Sequence, residues 1–139
     1  MPTSPEMQAF ASGFPVALLH IAVSVLLLLG AAAIYIALTP HKEISLVREG
    51  NTAAAVDLGA VLVGLALPLA FSLKGSTSLI DVALWGVATV AIQLLVFRLV
   101  EVLLHGLPKR IKDGEMAAAA LLVGAKLATA MIVAAAVAA

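Results

Sequence analysis

Apolar residues fill long runs of this chain, and polar ones are confined to narrow breaks between them. From Phe14 to Thr39 the stretch FPVALLHIAVSVLLLLGAAAIYIALT contains no charged side chain, and it exceeds the roughly 20 residues that a helix needs to cross a bilayer. A second run extends from about Asn51 to Phe71, a third from about Ser78 to Leu104, and a fourth from about Glu115 to the C-terminus. Each is long enough to span if isolated charges are tolerated. The pattern predicts an all-α integral membrane protein with four transmembrane helices. Its parts are an extracytoplasmic N-terminal segment (1–13), a first two-helix unit (14–71), an outer loop (72–77) and a second two-helix unit (78–139).

The first run reads as a retained span rather than a signal peptide. No Lys or Arg precedes it, and it is too long for the apolar part of a leader. Gly106 followed by Pro108 reads as a helix stop at the end of the third span,.

The breaks repeat. REGNTAAA begins at Arg48 and KDGEMAAA at Lys112, with Gly50 and Gly114 in register. Each copy stands at the start of an even-numbered span, as expected for a tandem duplication of a two-helix unit with both copies in one orientation. Glycine permits a tight turn there, while Glu49 and Asp113 lie near a helix N-terminus and Asn51, Thr52 or Asp113 can cap its free N–H groups,. The alternative is an anion or headgroup site formed by two helix ends and the basic side chains around them.

Composition agrees with the pattern. Hydrophobic residues make up 63% of the chain and charged ones 12%, against about 25% charged in soluble domains, and mean hydropathy is +1.17. Formal net charge is zero, so nothing suggests a nucleic-acid partner, and the absence of cysteine excludes disulfides, thiol nucleophiles and thiolate metal sites,. The distribution of charge matters more. Lys42 and Arg48 lie in the first connection and Lys109, Arg110 and Lys112 in the third, whereas the middle loop has only Lys74. The first and third connections are therefore expected in the cytoplasm and both termini outside it.

Small residues mark expected packing faces: Ala60 and Gly64 on the second span, and Ala120, Gly124 and Ala128 on the fourth,. Polar residues within the spans mark the candidate site. Asp57 lies about 9 Å below the boundary and Lys126 about 16 Å, close to the midplane. Charges so deep need a partner, a hydrated cavity or neutralisation. An Asp57–Lys126 ion pair is the simplest expectation; an aqueous path lined by Lys126 is the alternative. Glu115, Lys126 and Thr129 fall on one stripe of the fourth span,. Gln93 is expected to hydrogen-bond between helices, and Arg98, Glu101 and His105 to form an exposed network at a helix end.

His20, His41 and His105 lack metal-ligand spacing, so no metal or other cofactor is expected,. No nucleophile with a base, phosphate loop or paired-carboxylate motif is present either, and an enzyme is not expected.

The stretches TPHKEISLVREGNTAAAVDLGAVLVGLALPLA (39–70), LWGVATVAIQLLVFRLV (84–100) and RIKDGEMAAAALLVGA (110–125) resemble a bacterial inner-membrane family, domain of unknown function 350, the YjfL-like proteins. The resemblance implies four spans built from a duplicated helix pair, in uncharacterised inner-membrane proteins, some encoded near envelope-stress or phage-shock-type genes. This chain departs from the pattern at its end, KLATAMIVAAAVAA, and at Asp57, where a small polar residue is usual. Asp57 and Lys126 thus read as a matched specialisation.

Two functions are in view. One is a non-enzymatic, self-associating or accessory module in the lipid bilayer, its cytoplasmic loops docking a cytoplasmic or membrane protein partner and its role tied to envelope stress. The other is a small channel or transporter with Asp57, Lys126, Glu115 and Gln93 along a hydrated path.

Overall fold

A computed structural model describes residues 4–39 and 42–138. His41, which the sequence puts in the first basic connection, and the C-terminal Ala139 lie outside the described residues. The helices are α1 (Pro5–Leu38), α2 (Glu43–Arg48), α3 (Thr52–Gly75), α4 (Leu79–Leu103), α5 (Leu107–Lys112) and α6 (Met116–Ala138). The four long ones, α1, α3, α4 and α6, are each apolar and long enough to cross a membrane.

Two differences from the sequence expectation have local causes. The first helix begins at Pro5, not Phe14, so most of the expected N-terminal segment forms its opening turns. The start signal is compact: the Ser4 hydroxyl accepts from the Met7 N–H, Pro5 supplies a preset φ, and Glu6 faces the positive helix end,. At 34 residues α1 is about 51 Å long, well beyond a hydrocarbon core of about 30 Å, and its exposed early turns carry the stacked Phe10 and Phe14 rings. The second difference is that both basic connections contain short helices, α2 and α5, where loops were expected.

The repeated glycines end these short helices. Gly50, at φ 87°, donates to Val47 O while Asn51 donates to Leu46 O. Sixty-four positions on, Gly114, at φ 82°, donates to Ile111 O while Glu115 donates to Arg110 O. This crossed pair of bonds is the Schellman stop, which needs a left-handed residue and hence favours glycine. Asp113 is accordingly the C-cap of α5, and not a cap of the next helix as the sequence suggested. Asn51 does cap α3, its side chain accepting from the Ala54 N–H at 3.0 Å. Its amide also donates to the carbonyls of Ile111 at 2.8 Å and Lys112 at 3.2 Å, tying the two stops together.

Helices α3 and α6 form the most extensive pairing, with α1 and α4 packed alongside. Ala60 and Gly64 are buried in that bundle. A Cβ at Gly64 would lie 2.6 Å from Phe97 Cζ, so the missing side chain is what lets the fully buried Phe97 ring reach α3. By contrast Ala120, Gly124 and Ala128 face outward, away from the chain's own core.

Candidate functional site: a buried charge cluster

The polar interior is concentrated near the end of the bundle that carries α2 and α5. Five helices each contribute one residue: Tyr35 from α1, Glu43 from α2, Asp57 from α3, Glu101 from α4 and Lys126 from α6. All five are buried, and Lys126 is 0% exposed. Its position follows from the helix face it occupies, in line with Ala119, Leu122 and Ala130, which carries the lysine stem into the bundle,.

The Lys126 ammonium is well saturated. Nζ lies 2.9 and 3.0 Å from the two Asp57 oxygens, 2.8 Å from the Tyr35 hydroxyl and 3.3 Å from Glu101 Oε1. Tyr35 accepts from the lysine and donates to Glu101 Oε1 at 2.6 Å. The other oxygen of Glu101 is 3.4 Å from the Arg98 guanidinium, which is half exposed at the edge. Below the cluster the Tyr35 ring meets Phe97 edge to face, with centroids 6.2 Å apart.

One ammonium among three carboxylates leaves two negative charges in excess: Arg98 at the edge faces one of them through Glu101, and protonation of Glu43 removes the other. Burial, followed by the repulsion of Asp57, pushes the Glu43 carboxyl up to about 8. Glu43 is thus predominantly protonated at neutral pH. Its Oε1 is 3.4 Å from the Tyr35 hydroxyl, and its Oε2 has no hydrogen-bond partner among the described residues. Beside it is a cavity of about 10 Å³ lined by Thr39, Glu43, Asp57, Glu101 and Lys126, the lower limit for one water molecule.

The structure therefore brings Asp57 and Lys126 together, and separates two other candidates from them. Glu115 precedes α6 and is exposed, pairing with Arg110 at the surface, so it does not share the Lys126 site. Gln93 is buried deeper in the bundle, and neither of its side-chain polar atoms has a partner among the described residues, contrary to the expected interhelical bond. Glu101 was expected in an exposed network with Arg98 and His105. Only the Arg98 contact is present, and Glu101 itself is buried, because its face of α4 continues that of Phe97 and Gln93,. Tyr35 and Glu43 were not foreseen at all; the signal available was a lone tyrosine and a glutamate at opposite sides of a short connection.

Among the described residues no group of His, Asp and Glu is arranged to hold a metal ion. The basic residues Lys42, Arg48, Lys109, Arg110 and Lys112 lie on or next to α2 and α5, outside the buried cluster.

Four long apolar helices around an internal ion cluster define a polytopic helical membrane protein. The chain belongs to the family described as Domain of Unknown Function (DUF350), whose profile matches residues 9–137. It is 35% identical over 85 residues to the inner membrane protein YjfL of Escherichia coli strain K12, and equally to that of Escherichia coli O157:H7. The match covers 61% of this chain and 64% of each relative's length. No solved structure matches the chain.

Proposed function

We propose that the protein is a non-enzymatic module of the bacterial inner membrane, which uses its buried charges to hold four helices in one arrangement and its outer faces to meet a second copy or an accessory protein. The observation that carries this reading is the saturation of Lys126 by Asp57, Tyr35 and Glu101. A charge committed to three internal partners serves packing and specificity, whereas a conducting lysine would face water. Phe97, seated on Gly64, adds an apolar ring between the cluster and Gln93.

Several finer points belong to the same reading. The inner-membrane setting follows from family membership and from the name of the relatives. The basic residues around α2 and α5 support a cytoplasmic position for that end, with the termini outside. The recurrence of short helix, glycine stop and long helix at a spacing of sixty-four positions supports a duplicated unit. The outward Ala120, Gly124 and Ala128 face supports close approach of a second helix across lipid,.

A second reading, as a proton or ion path, draws on one observation. Gln93, Thr89 and Ser72 are buried polar side chains with atoms that lack partners among the described residues, and they extend from below the cluster toward the far end of the bundle. Ion flux into proteoliposomes separates the readings, with wild type compared against Lys126→Met and Asp57→Asn and the oligomeric state of each followed in parallel. The module reading expects no flux above empty liposomes and a loss of assembly in either variant. Flux whose selectivity changes in Lys126→Met while assembly is intact would overturn it.

A further inference from the structure

Glu101 is a wall between two compartments. Its Oε1 belongs to the cluster, while its Oε2 faces Arg98 and an open pocket of about 400 Å³ at the junction of α4 and α5. Arg98, His105 and Lys109 line that pocket, and all three are exposed. We propose that it binds the phosphate group of an anionic phospholipid.

Depth and charge both favour such a ligand. Arg98 stands five residues before the end of α4, about 8 Å along the helix, on a face that points away from the bundle. A guanidinium at the boundary between hydrocarbon and headgroups needs an anion. Its internal one is a single contact of 3.4 Å to Glu101, whose other oxygen is held by Tyr35 and Lys126. The rest of its donor fork has no partner among the described residues, and a guanidinium fork matches phosphate geometry. Lys109 adds a second positive charge and His105 a further donor, so the pocket is net positive even with Glu101 at its back. The surface next to it favours a lipid over a free anion: Leu95, Leu99 and Val102 form an exposed apolar stripe on α4 that leads to the pocket. A phosphodiester in the pocket would lay its acyl chains along that stripe.

The test uses the full chain in nanodiscs of equal phosphatidylcholine and phosphatidylglycerol, with lipids that stay bound counted by native mass spectrometry. Wild type is expected to retain phosphatidylglycerol preferentially. Arg98→Gln and Lys109→Gln should each reduce that preference about fivefold, the contribution of one cation near a lipid surface. Lys74→Gln, at the far end of the bundle, should leave it unchanged. Lys109 lies outside the buried cluster, so its variant remains informative if Arg98→Gln impairs folding. Equal retention in wild type and Lys109→Gln would overturn the proposal. Displacement of the lipid by millimolar inorganic phosphate would overturn the lipid as the source and assign the pocket to a soluble phosphate.

Discussion

The first half of the chain, α1 to α3, and the second, α4 to α6, take the same course: a long helix, a six-residue helix closed by a left-handed glycine, and a second long helix. Their interior chemistry is different. Sixty-four positions from Asp57 stands Leu121, and at the same offset Lys126 faces back to Leu62, Tyr35 to Leu99 and Glu101 to Ala37. The halves share a backbone plan and divide a charge cluster, with Tyr35, Glu43 and Asp57 on one side and Glu101 and Lys126 on the other. The first half cannot neutralise its buried carboxylates without Lys126 from the second. One complete chain can, so self-association is free to use the outer faces.

The largest expected effect comes from removing the only ammonium in the cluster. Lys126→Met leaves Asp57 and Glu101 without their cation and should cost about 3–5 kcal/mol of stability, read by SDS titration in detergent. Adding Asp57→Asn should recover part of the loss, since a neutral pair no longer buries an unmatched charge. No recovery would mean that the two residues do not act as a pair.

Next is a contrast between two small residues sixty-four positions apart. Gly64→Ala forces the buried Phe97 ring to shift and should cost about 1–3 kcal/mol. Ala128 faces outward, so Ala128→Val should leave the monomer's stability nearly unchanged while reducing any dimer seen by crosslinking,.

The two glycine stops lead into helices that are anchored differently. Asn51→Ala removes a helix cap and two bonds to the end of α5 and should cost about 1–2 kcal/mol. Glu115→Ala loses only a surface partner of Arg110, and thermal melting should hardly register it.

The smallest effect on stability in acid, though a clear one in its pH profile, is expected for Glu43→Gln. The Glu43 carboxyl, facing Tyr35, Asp57, Glu101 and Lys126, titrates near 8 in the folded chain against an ordinary value of 4.5. The folded state therefore holds more protons between these values, and stability should fall as pH rises from about 4.5 through about 8. Glutamine imitates the protonated acid, so melting of the variant should be flatter across that window.

The four long apolar helices and the repeated glycines were legible because each depends on local facts: run length and backbone freedom. The start of α1 was also written locally, in Ser4, Pro5 and Glu6, but an apolar run draws attention to where hydrophobicity begins, and a helix begins at its cap. The cluster is a different matter. Lys126 meets Asp57 across 69 positions and Tyr35 across 91, and no periodicity along the chain reports such a meeting. Glu101 resembled an ordinary helix-end charge, and Glu43 a loop residue, until packing closed α1, α2 and α3 around them. Sequence by itself determined which segments enter the membrane and that two charges go with them. Only the tertiary structure decided how many carboxylates share one lysine, because desolvation acts on neighbours in space and not on neighbours in the chain.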